Sequence, residues 1–119
     1  MEIIQVYQDE ILDIHINGQL DANSSIKLDD VIKAAIKQRK TKITINCHEM
    51  SYISSAGLGV FISHLDDMKG YGGKFVFYEM NESVYGIFKI LGLHTIMEIV
   101  ENHGEAKMLM NEGELNNSL

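Results

Sequence analysis

Lys42-Ile43-Thr44-Ile45-Asn46-Cys47, then Leu58, Phe61, Ile62, Leu65 and Met68 at helical spacing, then Lys74-Phe75-Val76-Phe77-Tyr78: this stretch reads as strand, helix, strand. In the first segment Ile43 and Ile45 alternate with Thr44 and Asn46, and its β-branched side chains fit a pleated backbone better than a helix. The apolar residues of the second recur three and four apart, on one face of a helix that ends in the cluster Gly70, Gly72 and Gly73. A helical crossover returns the chain to the same end of the sheet, so the two strands it joins are expected to run parallel.

The segments on either side extend this pattern. Ile3, Ile4 and Val6, then Ile11 to Ile16 with Leu12, Ile14 and Ile16 alternating against Asp13 and His15, predict a hairpin about the turn Gln8-Asp9-Glu10. Between Asn23 and Lys40, Leu28, Val31, Ile32, Ala35 and Ile36 form the apolar stripe of an amphipathic helix. Its last turn gathers Lys37, Arg39 and Lys40, cations that suit the negative end of the helix dipole. His48 to Ile53 reads as a loop. Val84, Ile87, Phe88 and Leu91 mark a third helix closed by Gly92, Thr95 to Val100 a further strand, and Ala106, Leu109 and Met110 a closing helix from near Asn102. The expected fold is a single α/β domain over 1–110, a mixed sheet of four to five strands with packed helices, followed by a flexible tail over 111–119.

A chain of 119 residues, 45% hydrophobic and 23% charged, suits one globular domain. Ten Lys and Arg against 17 Asp and Glu leave a net charge of -7, so the phosphate-neutralising surface that drives nucleic-acid binding is not expected. No apolar run approaches the roughly 20 residues of a membrane span, and acidic Glu2 stands where a leader would carry basic residues. One cysteine, Cys47, allows no internal disulfide or thiolate cluster, which points to the reducing cytoplasm and to a packing role for the thiol. The five histidines form no metal-ligand spacing, and no cofactor or metal is expected.

Chemistry concentrates at the start of the second helix. Ser54 or Ser55 stands where a serine caps free backbone N–H groups, and that same positive helix end suits a phosphate carried on the Ser55 hydroxyl, with Gly57 allowing a close backbone approach. Cap and phosphoacceptor remain alternatives on spacing alone. Hydrolase chemistry is not expected: His64 lies nine residues beyond Ser55 on one helix, about 13 Å of rise at ~1.5 Å per residue. Gly70-Tyr71-Gly72-Gly73-Lys74 has Phe75 where a phosphate loop needs Ser or Thr, and Gly57-Leu58-Gly59 is only a fragment of a dinucleotide fingerprint. Asp66 and Asp67 read as a solvated helix face.

Gly18-Gln19-Leu20-Asp21 before the first helix and Ser51-Tyr52-Ile53-Ser54-Ser55-Ala56-Gly57-Leu58-Gly59-Val60 opening the second together resemble the STAS domain, closest to the bacterial anti-sigma factor antagonists. The late Leu91-Gly92-Leu93 fits the same family. The resemblance implies a non-enzymatic switch. The unphosphorylated form binds a serine kinase that is also an anti-sigma factor, phosphorylation breaks that association, and a serine phosphatase restores it. Carried over residue by residue, it puts the phosphoacceptor on Ser55, with Ser54 as alternative, and the partner contact on Asp21, Ala22, Asn23, Ser54, Ser55, Gly57 and Leu58. The motif departs from the family's usual Asp-Ser-Ser-Gly: Ser54 replaces the aspartate before the acceptor and Ala56 the second serine. The alternative is an unswitched STAS scaffold or nucleotide-sensing module.

Overall fold

The computed structural model describes residues 1–117, with side chains through Asn111. Its elements run β1 (Glu2–Gln8), β2 (Ile11–Leu20), α1 (Ala22–Lys37), β3 (Lys42–Asn46), β4 (Met50–Ile53), α2 (Ser55–Gly70), β5 (Lys74–Tyr78), α3 (Glu82–Ile90), a 3-10 turn at Leu93–Thr95, β6 (Glu98–Val100) and α4 (His103–Asn117). The sheet order is β1-β2-β3-β5-β6, with β4 attached to β2. β1 and β2 pair antiparallel through a two-residue turn in which Asp9 and Glu10 both take positive φ, 55° and 67°, the twist a tight hairpin requires. Every other pairing is parallel, as the helical connections demand.

The sheet has six strands, one more than the upper expectation, because Met50–Ile53 is β4 and not loop. Four residues give too short a pattern for periodicity to register. Tertiary pairing makes the strand: β2 is ten residues long, its Leu12 to His15 pair with β3, and its end, Gly18 to Leu20, is free to take β4. The chain reaches that position through a turn closed by the Met50 N–H donating to the Cys47 carbonyl (3.1 Å). α1 stops earlier than expected, with Gln38 as C-cap and Arg39 at φ 61°.

Two faces receive different cover. Leu12, Ile14, Ile16, Ile43, Ile45, Phe75 and Phe77 meet Leu28, Ile32 and Ala35 of α1, Leu58, Phe61 and Met68 of α2, and Val84 and Phe88 of α3 in the main core. Phe61 is fully buried and stands edge-on to Phe77 (4.9 Å) and Phe75 (5.5 Å), pairs worth about 1 kcal/mol each beyond burial. On the other face Ile11, Val76 and Tyr78 pack with Ala106 and Met110 of α4. Ile4 and Val6 of β1, the strand at the edge of the sheet, stay exposed. The backbone helix of α4 continues past the expected boundary at 110 to Asn117; the tail expected over 111–119 concerns 118 and 119, and side chains from 112 on, that lie outside the described residues.

Gly73 is held tightly, since a Cβ there would collide with the Thr41 carbonyl. With Gly72 at φ 72°, the glycine cluster is the helix stop and turn that its spacing predicts.

Candidate functional site

Leu20 and Ile53 are paired in register at the ends of parallel β2 and β4, and the next residue of each strand, Asp21 and Ser54, is a helix N-cap. The Ser54 N–H donates to the Leu20 carbonyl (2.9 Å), locking the two turns together. Two helix N-termini therefore emerge beside one another at one edge of the domain. β4 is anchored from beneath, because Asn81, the N-cap of α3, donates through Nδ2 to the Met50 carbonyl (3.1 Å).

At the α1 end, Asp21 Oδ1 accepts from the Ser24 N–H (2.9 Å) and from Ser24 Oγ (3.0 Å), while the Asp21 N–H donates to Ser24 Oγ (2.8 Å). This reciprocal box is one turn long and satisfies donors a helix start leaves free. The Ser24 N–H and hydroxyl hold the Asp21 carboxyl below its ordinary value of 3.8, so it is anionic at neutral pH. Ala22 and Asn23 follow it, both exposed.

At the α2 end the two serines divide the roles that spacing left open. Ser54 is the cap: its Oγ accepts from the Gly57 N–H (3.1 Å) and its backbone is extended. Ser55 is the first helical residue, exposed, and its hydroxyl has no partner among the described residues. The N–H groups of Ser55 and Ala56 are likewise unpaired among the described residues, at the positive end of a 16-residue helix.

Gly57 and Leu58 lie beneath this surface. A Cβ on Gly57 would stand 2.8 Å from Leu20 Cγ and 3.1 Å from Ile53 Cγ1, so the glycine lets α2 sit directly on the ends of β2 and β4. Leu58 is only 4% exposed and belongs to the core. The resemblance implies a partner contact at both, and spacing gives Gly57 the further part of letting the backbone approach a phosphate; the structure has both buried, supporting the site from inside. Ser55, Gly59 and Ile62 are exposed and share one face of α2 at spacings of four and three, and Tyr52 on β4 and Ile26 on α1 are exposed as well.

Two polar links escaped sequence reasoning. His64 is buried, and its Nε2 lies 2.6 Å from Asp29 Oδ1, joining α2 to α1. Asp13, read as the polar face of a hairpin, is buried and bound by Thr44, Tyr78 and His15. Neither burial has a local signal, since Asp29 is 35 residues from His64, and Thr44 and Tyr78 are 31 and 65 residues from Asp13. His64 points away from Ser55 chemistry altogether. Cys47 is buried with its thiol pushed up to about 12 by that burial, which suits packing and not reaction.

A family model described as the STAS domain matches residues 3–106, most of the chain. The chain belongs to the STAS domain family. Among curated STAS relatives it is 28% identical over 94 residues to the anti-sigma-B factor antagonist of Listeria monocytogenes, covering 79% of this chain and 82% of that protein. It is 24% identical to the Staphylococcus aureus protein of the same name, covering 79% and 87%. Its fold matches a crystal structure of an anti-sigma factor antagonist from Thermotoga maritima with TM-score 0.86 at 21% identity, over 92% of this chain and 94% of that one. It also matches SpoIIAA, an anti-sigma factor antagonist, in its unphosphorylated form, with TM-score 0.73 at 18% identity, over 94% and 99%. The mixed α/β sheet with packed helices is thus the STAS fold. No helix among the described residues of this STAS domain is long and apolar enough to cross a membrane.

Proposed function

We propose that this STAS protein is an anti-sigma factor antagonist operated by phosphorylation of Ser55. The unphosphorylated form binds a serine kinase that is also an anti-sigma factor, phosphorylation releases it, and a phosphatase resets the switch. The observation that carries the reading is the division of labour between the serines: Ser54 is consumed by the cap, while Ser55 offers an exposed, unpaired hydroxyl at a helix N-terminus. A phosphate there is stabilised by the helix dipole and free N–H groups, so the domain survives modification. The partner experiences the change, because a contact formed with a neutral hydroxyl must now desolvate a group of about -1.5 to -2 charge beside the anionic Asp21. Exposed Ile62 on the Ser55 face of α2, with exposed Tyr52 and Ile26 on β4 and α1, suits a protein partner.

Intact-mass analysis after incubation with the cognate kinase and ATP is expected to show one phosphoryl group on wild type and none on Ser55→Ala. In calorimetry the kinase binds wild type and Ser55→Ala alike, and the phosphorylated protein at least about 30-fold more weakly, the equivalent of roughly 2 kcal/mol at one desolvated contact. Phosphate mapped to Ser54, or equal affinity before and after modification, would falsify the assignment.

A further inference from the structure

β1 is the least covered strand of the sheet. Of its seven residues only Ile3 is partly buried, while Ile4, Val6 and Tyr7 are 41%, 45% and 49% exposed. It is also an end strand, paired with β2 on one side alone. The register fixes which of its backbone groups are already bonded. Gln8 and Ile11 close the two-residue turn as a hydrogen-bonded pair, and such pairs alternate along an antiparallel ladder, so Glu2, Ile4, Val6 and Gln8 bond to β2. The N–H and C=O groups of Ile3, Gln5 and Tyr7 therefore point outward from the sheet edge, and they have no partner among the described residues.

An open edge pairs with further strands unless short length, charge, proline or a bulge blunts it. β6, at the opposite edge, is blunted: it is three residues long and carries Glu98, paired with Lys74 at 3.3 Å. β1 has none of these devices. It forms an unbroken ladder with β2, contains no proline or lysine, and has a single charge at its first position, Glu2, whose Oε1 accepts from Asn17 Nδ2 (3.3 Å). The strand is also complementary to itself. When two copies of Glu2–Gln8 run antiparallel about a twofold axis at Gln5, the outward groups of Ile3, Gln5 and Tyr7 bond reciprocally to those of Tyr7, Gln5 and Ile3 in the second copy. Ile4 then stands opposite Val6, in the non-hydrogen-bonded position where side chains approach most closely. On the other face Ile3 meets Tyr7. Glu2 falls opposite neutral Gln8, so no like charges meet along the strand, although each chain carries a net charge of -7. An axis at Val6 would instead set Glu2 against Glu10, and one at Ile4 would pair only residues 2–6 of the strand.

We propose that β1 is a dimerisation edge, at which a second copy of this chain adds its own β1 antiparallel, centred on Gln5, and joins the two sheets into one. The inference is independent of the reading of Ser55. A single strand pair, about 24 Å long at ~3.4 Å per residue, makes a small interface, so the dimer is reversible and depends on concentration. Sedimentation velocity of the full chain, in a series up to about 1 mM, is expected to show monomer converting to dimer and no further. Over the same series amide exchange slows by a larger factor at Ile3, Gln5 and Tyr7 than at Ile4, Val6 and Gln8, whose N–H groups are already bonded. Gln5→Glu and Gln5→Lys each set like charges against one another on the axis and weaken self-association at least about fivefold, whereas the two variants mixed associate again as a one-to-one pair. Should a Gln5 variant fail to fold, Val6→Lys, which sets an ammonium against Ile4 of the second copy, is expected to weaken the dimer likewise. A chain that stays monomeric throughout, open-ended oligomers, protection that lies outside β1, or a dimer indifferent to these substitutions overturns the proposal.

Discussion

Ser54 and Ser55 carry the same side chain one position apart and meet opposite circumstances. The Ser54 hydroxyl closes the first turn of α2 through the Gly57 N–H, whereas the Ser55 hydroxyl faces solvent. Removing them should therefore separate stability from switching. Ser54→Ala is expected to lower the unfolding free energy by about 1 kcal/mol, the usual cost of a lost N-cap, while Ser55→Ala leaves it within about 0.5 kcal/mol. Denaturant midpoints of the two variants check this, and the phosphorylation assay should give the opposite ranking. A short motif brings both serines to the helix start but does not assign the roles, because the choice depends on where the backbone turns from extended to helical. That turning point follows from Ser54 donating to Leu20, a residue of another strand.

At the scale of elements, α1 and α2 are joined by one polar link inside an apolar contact. Asp29 Oδ1 meets His64 Nε2 while its Oδ2 holds Lys33 Nζ at 2.9 Å. Lys33 first and His64 second hold the Asp29 carboxyl below its ordinary value of 3.8. A carboxyl depressed in the folded state contributes stability above its unfolded value and loses it as pH falls through the folded one. Asp29→Asn is accordingly expected to cost about 1 kcal/mol near neutrality, and the gap from wild type should close as pH is taken well below 3.8. Urea unfolding at a series of pH values measures it; a gap that persists unchanged in acid would assign the loss to packing and not to charge. Amphipathic periodicity revealed both helices and their apolar stripes, yet the 35-residue separation of this pair carries no pattern to read.

For the whole molecule, the second face of the sheet depends on α4. Ala106 and Met110 are its buried anchors over Val76 and Tyr78. Ending the chain after Asn102 strips that cover and should lower the melting temperature sharply or prevent folding, whereas ending it after Asn111 keeps both anchors and should change it little. Thermal scans of the two truncations decide it, and equal losses would show that residues beyond 111 contribute to the fold.

By itself the sequence determined the α/β class, the hairpin, the helices, the parallel crossovers and the motifs at the starts of α1 and α2, because each is encoded within one continuous segment by period, turn chemistry or capping residues. Tertiary structure alone decided that Met50–Ile53 is a strand, that Gly57 and Leu58 support the Ser55 surface from within, and that Asp13 is buried among Thr44, Tyr78 and His15. The physical reason is common to all three. A four-residue strand exists by pairing, a buried glycine is explained by the side chain it meets, and a buried carboxylate is satisfied by donors 31 and 65 residues away, so the cause in each case lies outside the segment it acts on.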